Sequence, residues 1–455
     1  MAIEIPKALS IAGSDSGGGA GIQADLKTFA ALGVHGLTAV TAITVQNTLG
    51  VKEIFPIPPN VVGHQMEAVI EDIGVDAAKT GMLYDPGTIK VVSQFVSKKG
   101  FPLVVDPVLA SSTGDSLRKN GYLEALRESL IPIATVVTPN AIEASFLSGF
   151  KVRNLEEAKR AAKVIASLGP KAVVVKGGHL EETKAIDVLY FNGELILFEG
   201  ERIPSTTTHG SGCVYSASIA AELAKGRSIE EAVRIAKDFT TRALCYGLPL
   251  GAGPGPVNPM VHLFQEAERW QVIRSLREAL RILEARPEVA NLVPEVQSNL
   301  VMATSYARSV EDVAGIPGRI VRLKDGIKAS GDPDFGVSKH VARTVLTAMR
   351  YDPSVKSGMN IRFSEDILRV CRELGLTESS YDRRLEPESI KRKEGATTQW
   401  GAEEAIKKIG RVPDIIYHLG DWGKEPLITV LGKDAKHVAM KVLWIAEGLR
   451  SQRRS

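Results

Sequence analysis

The sequence has few cysteines, no charge excess and no long apolar run, and each shortage excludes a class of protein. Its three cysteines, Cys213, Cys245 and Cys371, form no Cys-x-x-Cys pair, which argues against a disulfide framework or a structural zinc site. The net charge is +3 over 455 residues, so nucleic acid binding has no support. No apolar run could cross a membrane, and the apolar start is too short for a signal peptide. We therefore expect a cytoplasmic protein with no membrane or nucleic acid partner.

Two common phosphate-binding motifs are also missing. No Gly-x-x-x-x-Gly-Lys-Ser/Thr segment occurs, so any phosphate chemistry here is not of the P-loop type. Gly17, Gly19 and Gly21 do follow an apolar segment, but their spacing departs from Gly-x-Gly-x-x-Gly. No acidic residue ends a second strand at the distance that dinucleotide binding requires. A dinucleotide fold is therefore disfavoured.

The composition and the order of apolar segments predict two α/β domains. With 44% hydrophobic and 24% charged residues, a chain of this length forms two or three folded domains. The Gly- and Pro-rich run at 247–259 is the best boundary. We expect a first domain at 1–258, a linker at 259–269 and a second domain at 270–455.

Apolar strands in the first half end repeatedly in polar or glycine residues and are followed by helical segments. Such ends at one edge of a mostly parallel sheet form a ligand cleft. The segments that follow these strands begin at Gly13, Val45, Thr80, Asp106, Thr138 and Lys176. Gln46 can donate and accept in one plane, as recognition of an aminopyrimidine-like edge requires. Asp25, one turn into a helix after the glycine loop, is either a solvated carboxylate or a substrate contact.

The stretch from Thr208 to Cys213 predicts an anion-binding cradle that contains a thiol. Gly210 and Gly212 allow a tight backbone, and the Ala-rich run to Ala224 is typical of a helix, so the amides of 210–213 would point out of a helix N-terminus. The helix dipole and any bound cation should lower the pKa of Cys213 and make it a base or nucleophile. The alternative is a small buried hydrophobe.

The motifs of the first half together resemble those of the ribokinase-like superfamily, and within it the hydroxymethylpyrimidine/phosphomethylpyrimidine kinases of thiamine synthesis. The resemblance covers about residues 5–258 and implies an αβα sandwich with a mostly parallel central sheet. Most superfamily members carry Asp as the base, whereas this kinase family has Cys, as at Cys213. The motifs lie at 12–25, 44–48, 79–82, 106–108, 138–143, 176–179 and 208–213.

This resemblance implies ATP-dependent phosphorylation of 4-amino-5-hydroxymethyl-2-methylpyrimidine and then of its phosphate. Cys213 would accept the alcohol proton, and the backbone of Gly210, Ser211 and Gly212 would hold the transferred phosphoryl group. The implied substrate contacts are Gly13, Asp25, Gln46, Met82 and Val108. The implied nucleotide contacts are Asn140, Lys176 and Thr208, and Asp106 and Glu143 would organise Mg²⁺.

The second half begins with a helical period in which Val272, Ile273, Leu276, Leu280 and Leu283 share one face until Pro287, which predicts a packing helix. Beyond it, strand and helix signals alternate and favour a second α/β fold. Arg319 follows a Pro-Gly turn and can make a two-pronged phosphate contact, and His340 starts a helix where it could act as a donor.

Residues 270–455 resemble the thiamine-phosphate synthase domain that is fused behind this kinase mainly in archaea. The resemblance implies condensation of the pyrimidine diphosphate with hydroxyethylthiazole phosphate. It carries Arg319 and His340 over as catalytic and Asn360, Arg362, Asp421 and Lys424 as binding residues. Related domains that lack the catalytic pair act as ligand sensors, so a kinase with a non-catalytic sensor of thiamine phosphate is the alternative. A pyridoxal or other vitamin kinase is disfavoured by Gln46 and Cys213.

The implied partners are small molecules: the hydroxymethylpyrimidine and its phosphate, the thiazole phosphate, ATP and Mg²⁺. We also expect a homo-oligomer.

Overall fold

The structure, a computed structural model, describes residues 4–109, 117–391, 395–421 and 423–452. The chain divides into two compact units, residues 1–262 and 263–455. Within the described ranges, no helix combines the length and the apolar character that a membrane crossing needs.

The first unit is built on a nine-stranded sheet in the order β3-β2-β1-β4-β5-β6-β7-β8-β9. The six strands from β2 to β7 in this order pair in parallel, and β3, β8 and β9 join antiparallel at the edges. The mostly parallel sheet is as predicted. Its strands are β1 (Lys7–Asp15), β2 (His35–Asn47), β3 (Gly50–Pro56), β4 (Ala77–Thr80), β5 (Leu103–Val105), β6 (Val136–Val137), β7 (Ala172–Val175), β8 (Ala185–Phe191) and β9 (Glu194–Gly200).

Helices cover both faces of this sheet. The described helices are α1 (Gly21–Ala31), α2 (Pro59–Asp72), α3 (Pro86–Lys99), α4 (Tyr122–Ala125), α5 (Ala141–Ser148), α6 (Leu155–Ala166), α7 (Ser211–Ala224) and α8 (Ile229–Cys245). Alternate strand residues point to opposite faces: Leu9 and Val105 pack in the core under α2–α6, whereas Ala8 and Val104 pack in the core under α1, α7 and α8. The unit is therefore a three-layer αβα sandwich.

The carboxyl ends of the parallel strands β1, β4, β5, β6 and β7 lie at one edge of the sheet. The segments that follow them start at Ser16, Gly81, Asp106, Thr138 and Lys176. Helix α7 packs against β1, β4 and β5, so its N-terminus reaches the same edge. This arrangement is the cleft that the repeated strand ends predict.

The second unit contains a seven-stranded sheet in the order β14-β11-β10-β15-β18-β17-β16 and a separate hairpin, β12-β13. Its strands are β10 (Leu300–Ala303), β11 (Val313–Gly315), β12 (Ile320–Leu323), β13 (Gly326–Ala329), β14 (Asp334–Phe335), β15 (Ser357–Arg362), β16 (Glu378–Ser380), β17 (Ile415–His418) and β18 (Leu427–Gly432). Strands and helices alternate as predicted, but all neighbours in the large sheet except β16 and β17 pair antiparallel.

The described helices of this unit are α9 (Val261–Glu284), α10 (His340–Tyr351), α11 (Glu365–Glu373), α12 (Glu388–Lys391), α13 (Ala396–Ile409) and α14 (Ala435–Gln452). Helix α9 begins at Val261 and so includes most of the segment 259–269, where we expected a linker. The predicted apolar face is present, because Val272, Leu276 and Leu283 are fully buried in the core of the second unit. The helical period therefore extends further toward the N-terminus than the glycine and proline signals indicated.

A buried ion pair joins three elements of the first unit. Lys79 of β4 contacts both carboxylate oxygens of Asp25 of α1 at 2.8 Å, and the Ser10 hydroxyl of β1 donates to Asp25 at 2.6 Å. Both charged side chains are fully buried. Because an isolated buried charge is strongly unfavourable, each partner is tolerated only with the other present.

Replacing Lys79 with Met should destabilise the first unit by about 3–5 kcal/mol, because the Asp25 carboxylate then stays buried without its counter-charge. All four tryptophans lie after residue 262, so the measurement is hydrogen exchange with mass spectrometry on peptides that cover β1 and β4. The matched control is Lys184→Met, which removes an exposed ion pair with Glu199 and should leave exchange unchanged. Equal protection in Lys79→Met and wild type would contradict the prediction.

Candidate active sites

Two glycine loops meet at the carboxyl edge of the first sheet. Gly210 is the N-cap of α7 with φ 80°, a left-handed conformation that favours glycine. A Cβ on Gly210 would lie 1.8 Å from the carbonyl oxygen of Gly19, so only glycine allows this approach. The start of α7, where we predicted an anion cradle, thus lies against the loop after β1.

Two ion pairs flank Cys213 in the first turn of α7. Asp25–Lys79 is one, and Lys176–Asp106, with an N to O distance of 3.0 Å, is the other. Asp106 also accepts hydrogen bonds from Thr138 at 3.3 Å and Ser216 at 3.2 Å. A Cβ on Gly212 would lie 3.4 Å from Lys176 Nζ, so this lysine sits directly at the cradle.

The expected effect of the cradle on Cys213 is wrong for the ligand-free protein. Burial raises the pKa of the Cys213 thiol to about 11, and the carboxylates of Asp25 and Asp106 add to that shift. Lys79 and the backbone N–H of Gly21 lower the pKa but do not outweigh burial. The helix N-terminus alone therefore does not make this cysteine a thiolate at neutral pH.

Asp15 and His209 hold the two loops together. Asp15, the last residue of β1, accepts backbone hydrogen bonds from Gly17, Gly19 and Ala20 at 2.8–3.0 Å. The Nε2 atom of His209 lies 3.0 Å from its carboxylate. Burial acts to raise the pKa of Asp15, but the hydrogen bonds from His209, Ala20 and Gly17 keep it below its usual value. The ionised carboxylate thus fixes the shape of the glycine-rich loop.

An apolar wall lies beside this cradle and contains three of the predicted substrate residues. Met82 belongs to a cluster with Ala42 and Leu117, and Val108 packs against it. Gly13 leaves room for this wall, because a Cβ there would lie 3.3 Å from Met82 Sδ. Gln46 lies on β2 with its Nε2 atom 3.4 Å from His209 Nε2. Gly13, Gln46, Met82 and Val108 thus all lie at the cradle or at the apolar wall beside it.

Asp25 differs from the expectation that it contacts substrate. Its side chain is fully buried and engaged by Lys79 and Ser10. Burial raises its pKa, and Lys79 offsets that effect only in part. Asp25 therefore supports the floor of the site instead of lining it.

Some of the residues expected to hold nucleotide and Mg²⁺ already bond the backbone, whereas others lie beside the cradle. Asn140 and Glu143 form a capping box at the start of α5, so both already hold backbone N–H groups. Burial raises the pKa of Glu143. Lys176 and Thr208 flank the cradle, and Thr208 is exposed.

The chemistry of Asp106 and Glu143 fits a magnesium ion. Their charges act on each other and on Lys176, so both carboxylates lie in one region beside the cradle. Among the residues that the structure describes, no group of three or more His, Cys, Asp or Glu side chains is arranged as a metal cage. Mg²⁺ commonly binds through one or two carboxylates together with phosphate oxygens and water.

In the second unit, four cationic side chains surround His340. Burial lowers the pKa of His340, and the charges of Arg343, Lys424, Arg319 and Arg383 lower it further. Arg319 and His340, the two predicted catalytic residues, are thus brought together from the β11–β12 turn and the start of α10. Within the described ranges, Arg343, Arg383 and Lys424 have no carboxylate within ion-pair distance. Such a cluster can bind an anion of high charge.

The turn that carries Arg319 is held from below by two asparagines. Asn299 bonds the backbone of Ile316 through both side-chain atoms, at 2.9 Å each, and Asn360 accepts from the Asn299 backbone at 2.7 Å. Asn360, 8% exposed, also donates to the Gln297 carbonyl. It was expected to bind substrate, but its side chain is used to hold the base of the Arg319 turn.

The other three residues expected to bind substrate in this unit, Arg362, Asp421 and Lys424, lie in different places. Arg362 donates to the Asn291 carbonyl and is half-buried, so it braces the chain after α9. Asp421 and Lys424 exchange backbone hydrogen bonds across a tight turn. That turn brings Lys424 to His340, whereas the charge of Asp421 acts on Arg384.

Sequence reasoning missed several residues of both sites. Lys79 is the only charged residue within the four-residue strand β4. A charge inside a short apolar strand indicates a buried ion pair, and this signal could have revealed it. Asp15 and His209 lie inside the recognised motifs, but their contact spans 194 residues. Arg343 and Arg383 reach His340 from α10 and from the turn after β16, and no local pattern marks Arg383.

Comparison with known proteins matches both units. The phosphomethylpyrimidine kinase family matches residues 15–258, and the family described as thiamine-phosphate synthase ThiN matches residues 275–443. A hydroxymethylpyrimidine/phosphomethylpyrimidine kinase of Mycobacterium tuberculosis is 48% identical over 57% of this chain and 95% of its own length. A solved ADP complex of Bacillus subtilis pyridoxal kinase is 42% identical, covers 57% of this chain and 100% of that chain, and has a TM-score of 0.54.

One relative matches across both units. The bifunctional thiamine biosynthesis protein ThiDN of Methanocaldococcus jannaschii is 33% identical over 95% of this chain and 97% of its own length. The ribokinase-like fold predicted for the first unit is confirmed by the solved kinase structure. The chain therefore belongs to the family of bifunctional thiamine biosynthesis proteins, transferases that join a hydroxymethylpyrimidine/phosphomethylpyrimidine kinase to a thiamine-phosphate synthase domain.

Proposed function

We propose that Cys213 and the α7 cradle carry both phosphorylations of 4-amino-5-hydroxymethyl-2-methylpyrimidine, and that the cluster around His340 carries its condensation with hydroxyethylthiazole phosphate. The observation that supports the first assignment is the convergence of Cys213, Lys176 and Asp106 at a helix N-terminus. The second is supported by the four cations around His340.

In the first phosphorylation, the alcohol must lose a proton as its oxygen attacks the terminal phosphorus of ATP. The thiolate form of Cys213, which the charge of Lys79 stabilises, accepts that proton and becomes the neutral thiol. The N–H groups of Gly210, Ser211 and Gly212 donate to the phosphoryl oxygens in flight. In the second phosphorylation the nucleophile is a phosphate oxygen, which is already ionised near neutral pH, so this step needs no base.

The apolar wall of Gly13, Met82 and Val108 packs against the pyrimidine ring, and Gln46 bonds its amino edge. Lys176, Thr208 and Asn140 lie where the phosphates of ATP would enter the cradle, and Asp106 and Glu143 would hold Mg²⁺. The ion supplies positive charge that neutralises phosphate oxygens. Displacement of Lys176 from Asp106 toward a phosphate would free that carboxylate for the metal.

In the second unit, the carbon–oxygen bond of the pyrimidine diphosphate breaks and diphosphate leaves with the electron pair. The thiazole nitrogen then donates its lone pair to the pyrimidine methylene carbon, which forms thiamine phosphate. Arg319, Lys424 and Arg343 offset the growing charge on the leaving group. His340, whose pKa is lowered, is neutral at pH 7 and can donate one hydrogen bond.

Two competing functions remain to be tested. The solved pyridoxal kinase of similar sequence makes pyridoxal a competing alcohol for the first site. A second unit that binds thiamine phosphate without turnover would be a sensor. Phosphorus NMR of the protein with the hydroxymethylpyrimidine, ATP, Mg²⁺ and thiazole phosphate distinguishes these: thiamine phosphate supports the proposal, and accumulated pyrimidine diphosphate supports the sensor. Faster turnover of pyridoxal would overturn the first assignment.

Cys213→Ala should slow the first phosphorylation by about 10²–10⁴-fold, because positioned proton transfer is lost. The second phosphorylation should lose much less, and condensation of supplied pyrimidine diphosphate should stay near wild type. Arg319→Ala should slow condensation by about 10²-fold and leave both phosphorylations unchanged. Steady-state rates of the three reactions are measured separately on each variant.

Cys245→Ala is the matched control, because this cysteine lies at the end of α8, outside the cradle. It should leave all three rates unchanged. Loss of all three rates in Cys213→Ala or in Arg319→Ala, with the circular dichroism spectrum intact, would show that the two sites are not independent.

The first phosphorylation should accelerate with pH. Since the Cys213 pKa is raised to about 11 and the base is the deprotonated form, kcat/KM should rise by about tenfold per pH unit between pH 7 and 10. Labelling of Cys213 with iodoacetamide, followed by mass spectrometry, should rise in parallel. A plateau in both profiles below pH 9 would mean that the thiol has a lower pKa, and Cys213→Ala should show no such slope.

A further inference from the structure

An aromatic wall lies next to the cation cluster of the second unit. The rings of Tyr381 and His418 have centroids 5.3 Å apart, and the Trp400 ring meets Tyr381 edge-on at 6.0 Å. Gly401 permits this packing, because a Cβ there would lie 2.3 Å from Tyr381 Cε2. Burial lowers the pKa of His418 to about 4, so its ring is neutral.

A buried carboxylate borders this wall. Glu386 is 7% exposed, and its Oε1 atom has no hydrogen-bond partner among the described residues. Its charge acts on the hydroxyl of Tyr381, where burial together with Glu386 raises the pKa to about 12. A buried carboxylate without a partner is unfavourable in the ligand-free protein. A ligand that brings a hydrogen-bond donor or a positive charge would remove that penalty.

Arg383 connects the wall to the cation cluster. Its charge acts on Tyr381, on His418 and on His340, so the three lie around it. Its Nε atom is buried without a partner in the described part of the chain, although Glu386 is only three residues away. Arg383 and Glu386 therefore do not form an ion pair with each other, and each can contact a ligand.

We propose that Glu386 and Tyr381 bind the aminopyrimidine ring of the diphosphate substrate, and that Glu386 stabilises the positive charge that develops on this ring as diphosphate leaves. The inference rests on the synthase reaction proposed above. The exocyclic amino group donates to the Glu386 carboxylate, and the ring packs on Tyr381. The diphosphate lies toward Arg383 and His340, so the bond that breaks spans the two groups of opposite charge.

If Glu386 stabilises the ring cation, it should accelerate condensation and hydrolysis of the pyrimidine diphosphate alike. When the carbon–oxygen bond breaks, diphosphate takes the electron pair and the pyrimidine methylene carbon becomes electron-poor. This charge develops before the thiazole nitrogen attacks. Without thiazole phosphate, water attacks the same carbon and loses a proton, so the alcohol and diphosphate form. Stabilisation of the ring cation therefore accelerates both reactions, whereas a thiazole contact would accelerate condensation alone.

The test uses the full-length protein and the isosteric variant Glu386→Gln, with supplied pyrimidine diphosphate as substrate. We expect kcat to fall by about 10²-fold, the scale for loss of one preorganised electrostatic contact, for condensation and for hydrolysis alike. The affinity for inorganic diphosphate and both phosphorylation rates should stay at the wild-type level, which also shows that both units are folded. The control is Glu404→Gln, an exposed position on α13, which should change none of these.

Three results would overturn the inference: wild-type kcat in Glu386→Gln, loss of condensation with hydrolysis unchanged, or weakened binding of inorganic diphosphate. If the wild-type protein shows no condensation, the synthase proposal fails separately. Glu386 is then judged by the affinity for thiamine phosphate, read from tryptophan fluorescence. A tenfold weaker affinity in Glu386→Gln would retain Glu386 as a ring contact, and an unchanged affinity would reject it.

Discussion

The kinase site depends on one close contact, the approach of the Gly210 backbone to the carbonyl of Gly19. This contact is possible because neither residue carries a side chain there. It sets the start of α7 against the loop after β1, and the Asp15–His209 bond holds the same two segments. The two loops that carry the proposed phosphoryl contacts of this unit meet at that junction.

The two sites of the protein manage negative charge in different ways. In the first unit two lysines are already paired with carboxylates, Lys79 with Asp25 and Lys176 with Asp106. In the second unit, no described carboxylate lies within ion-pair distance of Arg343, Arg383 or Lys424. His340 is neutral among these cations. Under the proposed function, the transferred phosphoryl group would meet lysines that are already paired, whereas the departing diphosphate would meet excess positive charge.

Much of this architecture could be predicted because it depends on patterns of neighbouring residues in the sequence. The apolar strands Leu103–Val105 and Ala172–Val175 end directly before Asp106 and Lys176, as predicted, and the glycines around Cys213 mark a helix start. The pKa of Cys213 could not be predicted, because it depends on burial and on Asp25 and Asp106, which are far away in the sequence. The hydrogen bonds of Asn360 could not be predicted for a similar reason: its partners Asn299 and Gln297 are more than 60 positions away. The antiparallel pairing of the second sheet is likewise set by tertiary contacts.

The backbone of Arg319 is in the left-handed region, with φ 73°, directly after Gly318 with φ 68°. This conformation costs a residue with a side chain about 1–3 kcal/mol of folding free energy, whereas glycine adopts it with almost no strain. Replacement of Arg319 with glycine would therefore stabilise the fold while it removed the guanidinium. The arginine thus lowers the stability of the turn in return for a positive charge beside His340.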